Sequence, residues 1–344
     1  MINTNRDPIM DWRNQLKVNA RRVNCVLASF VMIYMAVGLL FDIYLSHTLY
    51  QCSPGESLLL LLSWRITPIA TLILVIIAIL SILITLAFYD RIMLLGTQYC
   101  TINSHSQSME ERQLYNIVEE LKIAAGLRYT PKIYVIDADY MNAFASGYSE
   151  KSALIAVTRG LLKKLERGEL QAVIAHELSH IKHGDIKLTL VASVLSNLSI
   201  IVLDVLLRSI IFSSPRRRTK NNSSGALLFL AVTLLRYLLP VITMLLILYL
   251  SRRREFMADA GAVELTRDNQ QLANALIKIS GDFKEHLDNY RTVYRQTFHE
   301  EVRRAAYIFD PKQEGVTLQQ SINNLFSTHP SLKDRLKALG IPRR

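Results

Sequence analysis

The chain has 344 residues, half of them hydrophobic, with a mean hydropathy of +0.20. That excludes an ordinary soluble domain and points to membrane spans beside one or two folded units. The net charge of +11 is spread along the flanks of apolar runs, which fits membrane orientation and lipid contact better than nucleic acid. Cys25, Cys52 and Cys100 are far apart and exclude a disulfide-stapled secreted domain.

Residues 1–22 form a basic arm with Arg6, Arg13, Lys17, Arg21 and Arg22, expected to stay in the cytoplasm. Four apolar runs, 23–45, 66–89, 188–212 and 226–250, are long enough to cross a hydrocarbon core of ~30 Å as helices. The first is too long for a cleavable signal peptide and lacks a small-residue cleavage site. The loop 46–65 is expected outside, and the second span returns the chain to the cytoplasm. Residues 57–62 are also apolar and either extend the second helix or lie in the interface.

Ser108-Met109-Glu110-Glu111 has the spacing of a capping box. It opens a helix whose apolar stripe is Leu114, Ile117, Val118, Leu121 and Ala125, closed by Gly126 and blocked by Pro131. Two β-rich runs follow, 132–136 and 153–157, on either side of Asn142-Ala143-Phe144-Ala145-Ser146-Gly147. They either offer an edge to an extended peptide or only pack against the next helix. Thr158 is positioned to cap a helix beginning near Gly160.

The stretch 171–181 contains neither Pro nor Gly and reads as helix. Within it, His176 and His180 are four apart and so face the same way, about one pitch from each other. Two neutral imidazoles so placed can hold Zn²⁺. Glu177 is offset around the helix, poorly placed as a ligand to the same ion and well placed to take a proton from water.

A catalytic zinc needs a third protein ligand, and His183, Glu255, His329 and scattered carboxylates are the candidates. Three ligands from one straight helix cannot surround an ion, which demotes His183. The runs 188–212 and 226–250 are expected to form a hairpin with both ends at one membrane face, returning Glu255 beside the histidines. Asp259, one turn on, can then accept the free N–H of a ligand histidine. The alternative is that Glu255 only balances Arg252, Arg253 and Arg254 at a helix N-terminus. Arg216, Arg217 and Arg218 at the hairpin tip conflict with the basic residues at its base, so it either spans fully or is re-entrant; its length favours spanning. Asp204 and Arg236 lie at matching depths and are expected to pair, with Arg208 the competing partner. Residues 255–281 are expected to run on as helix, and 332–339 as a short closing one.

Several ordered motifs resemble the HtpX/CAAX-protease family of membrane zinc peptidases. His176-Glu177-Leu178-Ser179-His180-Ile181-Lys182-His183-Gly184-Asp185 looks like its metal helix, and Ser251-Arg252-Arg253-Arg254-Glu255-Phe256-Met257-Ala258-Asp259 like its third-ligand segment. Asn142-Ala143-Phe144-Ala145 is similar to its substrate-side motif, and Ser327-Thr328-His329-Pro330 with Arg335 to its C-terminal one. The resemblance implies one zinc per chain on His176, His180 and Glu255, with Glu177 as base. It implies Asp259 behind a ligand, Asn142, Ala143 and Phe144 beside a bound peptide, and His329 and Arg335 near the oxyanion or the substrate backbone.

The expected whole is a mainly α integral membrane protein of four transmembrane helices with a cytoplasmic α+β zincin-like domain and a small sheet. Residues 23–89 hold the first two spans, 90–187 and 251–344 the catalytic domain, and 188–250 the hairpin. The expected activity is proteolysis of misfolded or damaged membrane proteins at the cytoplasmic face of a bacterial inner membrane, with lipid and substrate as partners. The rival readings are a prenyl-CAAX processing protease and a non-catalytic scaffold with a structural metal.

Overall fold

The computed structural model describes residues 12–50, 52–106, 108–184, 186–187, 204, 208, 230, 233–234, 238, 254–290, 303, 306–309 and 330–341. Most of the expected hairpin, its tip arginines, Arg236, Arg252, Arg253 and His329 lie outside these residues. The described residues fall into two compact units.

The smaller unit contains most of α1 (Trp12–Tyr50), from Cys25 on, with α2 (Pro54–Leu62) and α3 (Ile69–Ala87). Within α1 and α3, Leu27–His47 and Ile69–Ala87 are long and apolar enough to cross a membrane, with mean hydropathies of 1.9 and 3.1. Run 57–62 belongs to a separate helix, capped by Ser53 and Glu56 and started by Pro54, rather than to an extension of the second span. Helices α1 and α3 meet at Gly38, where a Cβ would stand 2.4 Å from the Thr71 Cα. Tyr34, Val37, Leu74 and Ala78 pack around that crossing. Buried Asp42 accepts hydrogen bonds from the Ala70 and Thr71 amides, at 2.9 and 2.8 Å, and from the Thr71 hydroxyl at 2.7 Å. A span carboxylate is thus satisfied by the unpaired first-turn donors of its neighbour. Ile69, Ile76 and Leu83 of α3 are exposed, as an apolar solvent would permit.

The larger unit takes the start of α1, up to Asn24, and then α4 (Tyr89–Leu94), β1 (Tyr99–Ile102), α5 (Met109–Ala125), β2 (Lys132–Ile136), β3 (Ala143–Ser146) and β4 (Leu154–Thr158). It continues with α6 (Arg159–Lys164), α7 (Arg167–His183), α8 over 254–266, α9 (Asn269–Glu285) and α10 (Leu332–Ala338). Among the described residues the sheet has four strands in the order β1-β2-β4-β3, of which only the central β2–β4 pair is parallel. Two strands were legible in the pattern; β1 and β3 are the additions. β3 has little intrinsic β preference, but all four of its residues are buried, held between β4 on one side and α7 beneath.

Helix α7 packs on α5, α9 and β3 and is buried nearly all round, which explains the absence of a polar stripe on it. Leu114, Ile117, Val118 and Leu121 of α5 close one side, and Leu272, Leu276 and Ile279 of α9 the other. Each such side chain contributes about 1.5–3 kcal/mol on burial.

Two local expectations are corrected. Ser108 is the N-cap of α5 but makes no capping hydrogen bond to its backbone; its hydroxyl donates to Glu110 at 2.6 Å. The helix expected over 255–281 is broken between α8 and α9. Arg267 is left-handed, at φ 58°, and Asp268 accepts from the Gln270 and Gln271 amides as a new N-cap. Gly126 closes α5 in the left-handed conformation, and Thr158 caps α6, as the sequence suggests.

Candidate metal centre

Helix α7 starts where the Glu166 amide donates to its own Glu169 carboxylate at 2.9 Å, and stops at Gly184, left-handed at φ 67°. Helical spacing then sets His176 and His180 side by side, their Nε2 atoms 3.2 Å apart. His176 is fully buried, and the His180 side chain is 14% exposed.

Helix α8 supplies the third group. Its approach to α7 depends on Gly261, where a Cβ would stand 2.5 Å from the Ser179 hydroxyl and 3.0 Å from its Cβ. With hydrogen there instead, Glu255 reaches both imidazoles: 3.6 Å to His176 Nε2 and 3.7 Å to His180 Nε2. One donor atom from each of the three residues lies within 4.8 Å of the others. Tetrahedral zinc with bonds of roughly 2.0–2.2 Å sets its ligand atoms about 3.3 Å apart, so the three fit this ion.

The electrostatics also ask for a cation. Both oxygens of Glu177 are buried, with no hydrogen-bond partner among the described residues. Burial pushes the Glu177 carboxyl up from its usual range, and the neighbouring charge of Glu255 acts the same way. Burial alone would push the His176 imidazolium down; hydrogen bonds to Asp259 and Glu255 outweigh it and leave the pKa raised. The pocket attracts positive charge, and in a buried site of this donor set a divalent ion satisfies it better than a proton.

Behind His176 stands a second layer. Asp259 lies 3.0 Å from its Nδ1. The Arg335 guanidinium grips the same carboxylate twice, Nε at 2.9 Å and Nη2 at 2.5 Å. Burial would raise the Asp259 carboxyl, but the Arg335 charge and the His176 bond hold it at about 2. An ionised Asp259 accepts the Nδ1–H, which leaves the Nε2 lone pair of His176 facing Glu255 and His180.

The remaining expected residues are placed differently from a free substrate site. Arg335 is 2% exposed and committed to Asp259, with its Nη1 donating to the Ile308 carbonyl at 2.8 Å. Asn142 is fully buried; its Nδ2 donates to the Phe309 carbonyl at 3.0 Å and its Oδ1 accepts from the Ala143 amide. The Ala143 carbonyl accepts from the Ile308 amide, and Phe144 meets the Tyr307 ring edge-on. His183 is half-buried and is not among the three clustered groups. Sequence reading missed the Asp259–Arg335 pair, the role of Gly261 and the whole contribution of residues 307–309. Of these only Gly261 carried a local signal, a glycine inside an otherwise helical run.

A protein-family model described as Peptidase family M48 matches residues 108–342. A "Protease HtpX homolog" of Helicobacter acinonychis (strain Sheeba) is 37% identical over 96% of this chain and 98% of its own length. Another, of Dictyoglomus thermophilum, is 43% identical over 66% of this chain and 68% of its own. Among solved structures, the crystal structure of S. mikatae Ste24p is similar over 87% of this chain and 65% of that one, at 19% identity and a TM-score of 0.48. With a family model covering the metal helix, the Glu255 segment and Arg335 together, and a relative alike from end to end, the chain belongs to peptidase family M48, the zinc metalloproteases.

Proposed function

We propose that His176, His180 and Glu255 hold one Zn²⁺ per chain and that Glu177 is the general base of a membrane endopeptidase. The observation that carries this is the convergence of three ligand atoms beside the buried carboxylate of Glu177, which has no hydrogen-bond partner among the described residues. Bound zinc supplies a water of lowered pKa, toward ~7, and a Lewis acid for the scissile carbonyl. Glu177 receives the proton of the attacking water and hands it on to the leaving amine. Asp259 orients His176, and Arg335 holds Asp259 ionised. Arg335 is thus a positioning residue, and its distance from solvent supports that role better than direct contact with an oxyanion. No structural role is assigned to His329; a catalytic contribution from it follows only from the family motif.

The two apolar helices and the further apolar runs at 188–212 and 226–250 support four spans and a site on the cytoplasmic face of a bacterial inner membrane. The metal helix ends a few residues before the third run, so the substrates are membrane proteins and their exposed loops, in particular misfolded or damaged ones. The test pairs two measurements on Glu177→Gln: zinc content of the purified chain and cleavage of an unfolded membrane-protein loop. Retained zinc with cleavage reduced at least ~100-fold supports the reading, following the usual size of general-base effects. Unchanged cleavage would remove Glu177 from the chemistry, and a wild-type chain that binds no zinc would end the proposal.

A further inference from the structure

Strand β3 is the edge of the sheet nearest the metal helix. Its even-numbered neighbours face β4: the Asn142 carbonyl accepts from the Thr158 amide at 3.0 Å. Alternation then turns the main-chain groups of Ala143 and Ala145 outward, where an added strand would pair. That edge is occupied. Phe144 forms an antiparallel bridge with Tyr307, and the Ile308 amide donates to the Ala143 carbonyl at 2.9 Å. The Ile308 carbonyl accepts from Arg335 and the Phe309 carbonyl from Asn142. The guanidinium that holds Ile308 also lies 3.5 Å from His176 Nδ1.

Among the described residues, the groups that the family resemblance sets beside a substrate, Asn142, Ala143, Phe144 and Arg335, are therefore each engaged by this chain itself. The pairing is antiparallel, through the Phe144–Tyr307 bridge. The side chains are seated as well. Tyr307 is held by the Phe144 ring and by the Tyr140 hydroxyl at 3.2 Å, and Phe309 stacks on Phe283 at 5.3 Å. All three side chains are buried in apolar and aromatic surroundings.

We propose that Tyr307-Ile308-Phe309 is an internal pseudosubstrate strand, and that a substrate enters as an extended apolar, aromatic-bearing stretch by displacing it from the β3 edge. This rests on the peptidase reading of the neighbouring centre. A tethered competitor acts at an effective concentration in the millimolar range, so it raises KM for any peptide that binds the same edge more weakly. It leaves kcat untouched once the edge is taken. The arrangement selects segments that are already unfolded, since only an extended chain can replace a strand.

The test uses the zinc-loaded full-length chain in detergent and an internally quenched peptide carrying residues 305–310, Ala-Ala-Tyr-Ile-Phe-Asp. Ile308→Pro removes the amide donated to Ala143. The expected result is a KM lower by about three- to ten-fold at unchanged kcat, the size of one lost hydrogen bond. An unlabelled D-amino-acid peptide of the same residues serves as a non-pairing control. A variant that cleaves with the wild-type KM overturns the proposal and makes 307–309 a permanent strand.

Hydrogen exchange on the Glu177→Gln chain, with the unlabelled L-peptide added, answers independently of whether the proline variant folds. Displacement raises exchange in the 306–309 segment while the Val157 region of β4 stays protected; unchanged or slower exchange there overturns the idea. Absence of any cleavage by zinc-loaded wild type, on this peptide and on the unfolded loop alike, would instead count against the peptidase reading.

Discussion

Asp259→Asn separates the two jobs of the second layer. The carboxylate accepts from His176 at 3.0 Å and from Arg335 at 2.9 and 2.5 Å, all at 1% exposure. Asparagine keeps the shape but offers one acceptor and one donor group, so its NH₂ must face a donor of either His176 or Arg335. The orphaned guanidinium destabilises the fold by about 3–5 kcal/mol, the range for breaking one side of a buried pair. Its remaining bond to the Ile308 carbonyl places the expectation at the lower end. Zinc affinity falls separately, by about 10–100-fold, or about 1.4–2.8 kcal/mol, because His176 is no longer held in one tautomer. Denaturant unfolding and zinc competition against a chelator measure the two effects. Adding Arg335→Met to Asp259→Asn removes the unpaired charge, so stability recovers substantially while zinc affinity does not. If Asp259→Asn binds zinc as tightly as wild type, or if Arg335→Met restores that affinity in full, then Asp259 does not act through His176.

Other substitutions probe the supports of the same unit and its neighbour. Gly261→Ala drives a methyl into Ser179 and should destabilise by about 1–3 kcal/mol while weakening zinc binding. Adding Ser179→Gly should recover most of both; failure to recover zinc binding would mean that the α7–α8 spacing does not set the reach of Glu255. Asp42→Ala deprives the first turn of α3 of its acceptor and should lower stability by about 1–2 kcal/mol, with a drop in the detergent melting temperature as the readout. Burial, and then the hydrogen bond to Asp282, raise the Tyr290 phenol above its ordinary value near 10. A group whose pKa rises on folding stabilises fully below its unfolded value and loses that contribution as pH climbs past it. Unfolding curves from pH 8 to 11 should thus fall less steeply above ~10 for Tyr290→Phe than for wild type; identical slopes would refute the assignment.

The parts of this fold that were legible are those in which local pattern and tertiary demand agree. Leu114, Ile117, Val118 and Leu121 repeat with a helical period because one face of α5 lies on α7. Ile133 to Ile136 and Leu154 to Val157 are continuous apolar runs because β2 and β4 are the central parallel pair. β3 was illegible for the complementary reason. Asn142-Ala143-Phe144-Ala145-Ser146 is neither β-branched nor alternating, and it becomes strand only because β4 pairs with one edge and residues 307–308 with the other. The break at Arg267 was obscured by the strong apolar stripe on both of its sides, which outweighs a Thr-Arg-Asp-Asn turn in any window average.

The metal centre divides along the same line. His176 and His180 are fixed relative to each other by the pitch of one helix, so spacing alone places them. Glu255 depends on how closely a second helix approaches, and that distance is controlled by an absent side chain at Gly261 and a small one at Ser179. Spacing cannot encode such a contact, because nothing in the order of residues says which face of α8 meets which turn of α7. The pair formed by Asp259 and Arg335 is more remote still: its two halves come from separate helices, and what makes it necessary is a histidine on a third. Each successive layer outward from the three candidate ligands is held by contacts of longer range. A motif therefore announces the innermost residues of the candidate centre, while the residues packed behind them, and the 307–309 segment beside β3, emerge only once the helices and the sheet have been brought together.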